Sequence, residues 1–524
     1  MVKITDRIGS GLDLIGSGLD RAIGIFSPRS ERVRRIERVQ AAKVRQYAAA
    51  KVNRLTGDWI PANQDVNSLI RSSSSIVRAR SRQLVRDFPF FARAVNILTN
   101  YTVGTGIRFQ SRVIDEGSST DKKTVFDKRA IRQIEDAIAW AMDEMDAAGG
   151  PSRRLHGYEL ERLGKRQDVE TGEFLFVKKW LKEPGRYVPF CLQPYESDWV
   201  SSAYTTLAEG NQIDQGIEFD PATGRVVAYH FAVPSGFNSL TGSTRSQRIP
   251  AEYVIHDFHT LRPGQLRGIS AFTTAILVAH DLGDYLDATM DTAKLASKYL
   301  ALVTTPDPAG FQGLRTETDP ESGQKLENVE NAIIEYLRPG EGIEFASHNM
   351  PGDQFPAYTK FVLRMVAVAT DTTYELLTSD YDGISYSNLR GIRNDFAVMM
   401  RPHSMRHILH MSTPVVREII TSAVLAGRID LPGYFQNPWR YWRGVFTPPG
   451  MESIDPLREG KAWIEQIRAT LRSPQEVAAS RGRDYEEILD ELAEAKSMAE
   501  ERGLTWEDVS TALKQNPAAL GATE

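Results

Sequence analysis

The chain has 524 residues, 41% of them hydrophobic and 25% charged, with a formal net charge of −5 and one cysteine. That length supports a sizeable core in roughly two to four domains; the mild acidity excludes a surface coated in basic residues for wrapping nucleic acid, and the lone Cys191 excludes an intrachain disulfide framework. No apolar run approaches the roughly 20 residues of a membrane span, and Asp6, Arg7, Asp13 and Asp20 interrupt any signal-peptide core.

The chain opens with a repeat, Ile8-Gly-Ser-Gly-Leu-Asp13 and Ile15-Gly-Ser-Gly-Leu-Asp20, whose glycines penalise a helix, so a flexible arm is expected. Residues 30–52 read as a basic helix carrying Arg32, Arg34, Arg35, Arg38, Lys43, Arg45 and Lys51. Either a solvated face or a contact with DNA or a partner accounts for it. A loop over 57–67 precedes a helix pair over 66–101, with Pro89 at the start of the second helix, where a missing N–H is tolerated. An amphipathic helix is expected over 122–145, ended by Gly149-Gly150-Pro151, and another over 156–169.

The texture then changes. Short β-branched and aromatic runs at 172–180, 187–194, 216–220, 226–233 and 253–258, separated by turn residues, predict a β-rich subdomain. Cys191, flanked by Phe190 and Leu192, falls in one of these runs and is read as a buried structural residue. His256 and His259 follow the same logic.

A long helix is expected over 269–300. A segment rich in Pro, Gly and charge follows at 306–352, with a short helix at 326–337 and a strand at 342–346. Phe355, Tyr358, Phe361, Val362, Met365, Val366 and Ala369 recur at helical spacing, as do Leu389, Ile392, Phe396, Met399 and Met400. Between them lies a polar segment with Ser379, Asp380, Tyr381, Asp382, Gly383, Ser385, Tyr386, Asn388 and Arg390. It carries hydroxyls, amides and tyrosines but no catalytic constellation, which points to contact, not chemistry. The second helix is expected to reach about residue 426, kinked at Pro402 and Pro414. Residues 433–449 are rich in aromatics and proline, 455–503 are helical with an acidic stretch from Asp484 to Glu494, and the tail from 516 reads as disordered.

The usual chemical signatures are missing. There is no Gly-x-x-x-x-Gly-Lys-Ser/Thr run, so no P-loop motor is encoded. Gly104-x-Gly106 lacks the third glycine of a dinucleotide turn, and no Gly-x-Ser-x-Gly elbow occurs. His403, His407 and His410 share one helical face, but no carboxylate or cysteine completes a zinc pattern around them. Asp380 and Asp382 lack the further ligands of a calcium loop. No catalytic residue, metal or cofactor is assigned, and the chain is not expected to be an enzyme.

The run Asp380 to Asn388, continued by Leu389-Arg390 and a helix ending in Arg401-Pro402, resembles the tunnel loop and following helix of lambda-type tailed-phage portal proteins. Three further segments match that family in the same order. They are Arg78 to Arg86 with Val103-Gly-Thr-Gly-Ile107; Arg262-Pro-Gly-Gln-Leu-Arg-Gly-Ile-Ser270; and Trp439 to Trp442 with Asp455-Pro456, Leu471-Arg-Ser473 and Arg481 to Asp484.

The resemblance implies a mixed α+β, mainly helical fold with wing, stem, clip and crown parts that assembles into a dodecameric ring. Its parts would be an arm (1–57), wing (58–268), first stem helix (269–300), clip (301–352), second stem helix (353–376), tunnel loop (377–388), long wing helix (389–455) and crown with tail (456–524). It further implies a channel for double-stranded DNA during packaging and ejection, docking of the large terminase subunit, and contacts with major capsid or scaffolding protein and with head-tail connector proteins. No membrane is involved; the place is the virion's portal vertex after assembly in the bacterial host cytoplasm. The tunnel-loop residues Ser379, Asp380, Tyr381, Asp382, Ser385, Tyr386, Asn388 and Arg390 would touch DNA. Lys294, Lys298, Lys360 and Arg364 would be basic positions facing the channel, or else inter-subunit or solvated charges. Two other readings stay open: a metal-dependent nucleic-acid enzyme built on the His403, His407 and His410 face, and a phage adaptor or scaffold that is not a portal.

Overall fold

A computed structural model describes residues 63–117, 125–147, 155–200, 205–208, 210–234, 244–298, 302–304, 317–318, 325–326, 342–344, 355–450 and 455–504. The chain divides into two units, 1–65 and 66–524, and the account below is of the second. The expected N-terminal arm and basic helix, most of the segment expected as the clip, including all but the first residue of the helix expected at 326–337, and the tail lie outside the described residues.

Two helices open the unit, α1 (Val66–Asp87) and α2 (Pro89–Thr102), with Pro89 in the first turn of α2 as expected. Strand β1 (Arg108–Ser111) leads to α3 (Lys128–Asp143), N-capped by Asp127, and α4 (Gly157–Thr171), whose His156 and Glu159 form a reciprocal capping box. The helix expected from 122 thus starts later, where Asp127 accepts the Ala130 N–H.

The β-rich region is two antiparallel sheets. Strands β2 (Glu173–Trp180), β3 (Phe190–Tyr195) and β9 (Val254–Phe258) form one, in the order β3-β2-β9. The other is a five-stranded meander of β4 (Thr206–Ala208), β5 (Asn211–Asp214), β6 (Ile217–Phe219), β7 (Val226–Pro234) and β8 (Thr244–Pro250). Leu175, Val177, Tyr195, Ile217, Phe231 and Ile249 bury a common core. Cys191 is fully buried, as read from its neighbours.

Helix α5 (Ile276–Lys298) begins seven residues after the expected position, because 269–275 form tight turns that pack Ser270 and Phe272 inside. Short strands β10 (Leu302–Thr304) and β13 (Gly342–Glu344) pair with each other, as do β11 (Glu317–Thr318) and β12 (Lys325–Leu326), so Leu326 is a strand residue, not a helix start.

Helix α6 (Phe355–Ala369) returns, followed by the short α7 (Tyr374–Thr378) and then α8 (Tyr386–His407). A π-helical turn, Ile408–Ser412, joins α8 to α9 (Thr413–Leu425). That change in hydrogen bonding falls just before Pro414, while Pro402 lies inside α8. Pro414 cannot donate a backbone hydrogen bond, and the Thr413 N–H instead reaches back five residues to the Ile408 carbonyl. The whole stretch forms one helix of 40 residues whose most apolar window passes a length and composition test for crossing a membrane, yet half of that window is buried against the protein core.

Helix α10 (Pro438–Tyr441) and β14 (Gly444–Thr447) follow, β14 pairing with β1, and then α11 (Pro456–Arg468), α12 (Pro474–Ser480) and α13 (Tyr485–Glu501). One large core joins α3, α4, the inner sheet and α9; a second joins α2, the start of α5, α6, α7 and α8. The architecture is mixed α+β and mainly helical.

Candidate functional site

The polar segment after α6 is built in three turns. Helix α6 stops at a threonine clasp: Thr370 donates to the Val366 carbonyl at 2.9 Å, its Oγ1 lies 3.0 Å from that of Thr372, and Asp371 takes the left-handed conformation with φ of 51°. Thr373 caps α7 by accepting the Leu376 N–H. Ser379 ends α7 with φ of 58°, its N–H bonding the Glu375 carbonyl, and Gly383 turns the chain again with φ of 69°. Ser385 accepts the Asn388 N–H and starts α8. The loop expected at 377–388 is therefore Ser379 to Ser385, with Tyr386, Asn388 and Arg390 on the first turns of α8.

Asp380 anchors this loop. Its carboxylate accepts the Tyr374 hydroxyl at 2.9 Å, the Lys360 ammonium at 3.1 Å and the Asp382 N–H at 3.1 Å. The Asp382 N–H, then Tyr374 and Lys360, hold the Asp380 carboxyl below the usual carboxylate range, and the same bond raises the Lys360 ammonium. Lys360 and Arg364 both sit over the Tyr374 ring, at 5.1 and 5.6 Å from its centroid. Arg93 on α2 donates to the Leu376 carbonyl at 3.3 Å, fixing α7 from the other side.

What the loop leaves exposed is nearly neutral. Tyr381 and Tyr386 are 47% and 44% exposed, and Ser379, Asp382, Ser385, Asn388 and Arg390 also face outward. Lys360 belongs to the anchor, and Lys294 on α5 is exposed with its ammonium 3.1 Å from Asp291. Lys298 closes α5, and its side chain lies outside the described residues.

The three histidines of the long helix do not converge. His403 lies 3.4 Å from the Lys165 ammonium, His407 is buried beside Phe174, and His410 is exposed, 3.4 Å from Asp257. Burial, reinforced by the Lys165 charge, depresses His403 to about 4 and His407 to about 3. Among the described residues no group of three His, Cys, Asp or Glu side chains is placed to hold a metal.

Two buried ionic clusters went unread in the sequence. Glu173, at the start of β2, takes both oxygens to Arg267 at 2.9 Å from Nε, accepts the Gly268 N–H at 3.0 Å and lies 3.1 Å from His256. Arg267 also donates to the carbonyls of Val200, Gln215 and Ser197, and Arg78 stands 3.6 Å from Glu173 and 3.0 Å from Asp198. Burial opposes the Glu173 charge, but Arg267 and His256 outweigh it and drive its carboxyl far below the usual range. Asp168 on α4 likewise accepts Lys165 at 2.7 Å and pairs with Arg406. Those cations overcome burial and hold it at about 2. Arg78 and Arg267 thus brace the fold at its centre. Both lie in segments that carry the family resemblance, but nothing local marks their pairing, since their carboxylate partner is remote in sequence.

A family model described as "Phage portal protein, lambda family" matches residues 52–402. The probable portal protein of Halomonas phage phiHAP-1 is 24% identical over 493 residues, covering 87% of each chain. Portal protein B of Escherichia phage lambda is 19% identical over 463 residues, covering 82% of this chain and 85% of its own. Among solved structures, a chain from the neck of an empty GTA particle aligns with 77% of this chain and 93% of its own at 13% identity and a TM-score of 0.41. The family match spans well over half of the sequence, from the helix pair through the loop to Pro402: the chain belongs to the lambda family of phage portal proteins, which places it in the virion and in DNA packaging.

Proposed function

We propose that twelve copies close into a ring at one capsid vertex and that the exposed face from Ser379 to Arg390 lines its narrowest passage. The observation that carries this reading is the charge arrangement of the loop. Asp380 and Lys360 neutralise each other at its base, while Tyr381, Ser385, Tyr386 and Asn388 offer hydroxyl and amide groups outward. Such groups contact phosphates without the counterion release that would hold a duplex in place, so DNA is guided and still slides. With no P-loop in the chain, the energy for translocation comes from a separate ATPase, the large terminase subunit. We assign its docking to the clip, 301–352, and the later binding of head-tail connector proteins to the assembled ring. Capsid or scaffolding protein recruits the ring during assembly in the host cytoplasm, and the protein itself has no catalytic role.

The test combines mass by light scattering with particle imaging, then packaging by the Tyr381→Ala/Tyr386→Ala variant. Rings of about twelve subunits that assemble normally from the variant but package or retain less DNA support the assignment. Rings that fill and infect normally with both tyrosines gone would sink the loop's role, and a chain that stays monomeric with its scaffold present would sink the ring.

A further inference from the structure

Two helices flanking the loop carry apolar side chains that this chain leaves largely exposed, Tyr358 among them although its ring meets that of Tyr285 edge-on with centroids 4.7 Å apart. On α6, Tyr358, Phe361, Met365 and Val368 are 44%, 60%, 43% and 77% exposed, and at about 100° per residue they fall within about 80° of arc. On α8, Val398 and Met405 are 57% and 56% exposed and share their stripe with Gly391, Asn394 and Pro402. A side chain at Gly391 would meet nothing within 4 Å, so the upper part of that stripe is an open notch. The two stripes differ in composition, one bulky and one notched, as the halves of a heterologous contact must.

Their charged edges give the orientation. Drawn from their N-termini, Arg364 lies on one edge of the α6 stripe, and Asp395, the sole acidic residue of α8, lies on the opposite edge of its own; Arg390 and Arg401 occupy the remaining edge of α8. Parallel helices laid face to face bring opposite edges together, as the flanking charges of a parallel coiled coil do, whereas antiparallel helices bring like edges together. Parallel packing pairs Arg364 with Asp395. Antiparallel packing sets Arg364 against Arg390 and Arg401. Among the described residues neither Asp395 nor Arg364 has an ion-pair partner, and the Arg364 guanidinium lies over the Tyr374 ring.

We infer that α6 of one copy packs parallel to α8 of the next, with Arg364 paired to Asp395 and Phe361 and Met365 covering the notch at Gly391. This rests on the ring reading above. It adds that the helices on the two sides of the loop are held by different neighbours, so each loop is spanned by two subunit contacts.

Charge exchange tests it. Arg364→Asp and Asp395→Arg each place like charges across the contact and are expected to raise the protein concentration needed for ring formation by about tenfold or more, and the two together to bring it back to within about threefold of the parent. Thermal melts of the unassembled variants establish that they fold. Cysteine pairing reads the geometry independently: Phe361→Cys and Gly391→Cys proteins, each inert alone, should cross-link to covalent dimers when mixed, and the doubly substituted chain should give a ladder of higher oligomers. Rings from the parent with no rescue by the double exchange, or cross-linking by either single cysteine alone, overturn this contact and leave the ring intact. Exchange variants that assemble normally but lose DNA retention overturn it in favour of a channel-facing stripe. A parent chain that never forms rings overturns both readings.

Discussion

The Glu173 cluster and the Asp380 anchor are made of the same chemistry, a carboxylate receiving a cation and further donors, yet they sit at opposite ends of a scale of burial. Glu173 is wholly enclosed and bound by Arg267, His256 and the Gly268 N–H. Asp380 is half open to water and held by Lys360, Tyr374 and the Asp382 N–H. A buried ion pair is weak evidence of net stability, but breaking one strands a charge in a poor solvent, so it behaves as a lock. An exposed pair is screened and exchanges readily with water, so it sets a preferred loop conformation without fixing it. The buried cluster at the start of β2 is built to stay as it is and the loop is built to yield.

Glu173→Gln should break the comparison most visibly, because it leaves Arg267 and Arg78 buried beside a neutral amide. A loss of about 3–5 kcal/mol in urea unfolding is expected, and an unchanged midpoint would contradict the lock.

Next in size is a pH effect from Glu161 on α4, enclosed where it accepts the Ser412 hydroxyl at 2.6 Å and the Ile107 N–H at 3.2 Å. Burial outweighs both bonds and pushes its carboxyl up to about 7 from 4.5. The folded state therefore holds a proton that the unfolded state releases across that interval, so this group's contribution is full below 4.5 and falls as pH rises toward 7. The slope reaches about 1.4 kcal/mol per pH unit at most. Glu161→Gln should flatten that decline in melts recorded across the interval.

Two glycines sharpen the contrast further. A Cβ at Gly172, with φ of 95°, would lie 2.1 Å from the Ile269 carbonyl carbon, whereas one at Gly383, with φ of 69°, would meet nothing within 4 Å. Gly172→Ala should cost upwards of about 2 kcal/mol through overpacking and strain; Gly383→Ala should cost about 1 kcal/mol from its left-handed backbone alone. Equal melting temperatures for the two would remove the distinction.

The smallest global effect is expected from Asp380→Asn, which should leave the melting temperature unmoved while accelerating hydrogen exchange at the Asp382 amide and proteolysis between Ser379 and Ser385. Acid should do the same to the parent. With its folded value depressed, the anchor is present above the ordinary carboxylate range and is lost as pH falls through the lowered value.

Legibility in the sequence followed the locality of each signal. Helix periodicity and Pro89 located α1 and α2, and turn residues located β2, β7 and β9. Strand β8 was missed because Thr244-Arg-Ser-Gln-Arg-Ile-Pro250 is mostly polar and owes its pairing to β7. Helix α5 starts late because the turns before it bury Ser270 and Phe272, next to Gly268, where a Cβ would lie 2.0 Å from the carbonyl oxygen of Gly172, nearly a hundred positions away. At the loop, residue types gave the outward face of Tyr381, Tyr386 and Asn388. The anchoring of Asp380 by Lys360, an exposed-looking lysine on the preceding helix, had no local signature.

The π turn at 408–412 has a consequence for phase. Above it the buried positions of the long helix are Phe396, Met400, Ser404 and His407; below it they are Val415, Val416, Ile419, Ile420, Ser422 and Ala423, and the apolar ones among these are displaced by about one residue from continuation of the first. The surplus residue in the turn absorbs that displacement, a rotation of about 100°, so that two cores read a single rod from the same side. Deleting one residue there would keep every other side chain and the helical propensity on both sides, yet it would turn one core's wall toward water whenever the other's faced inward.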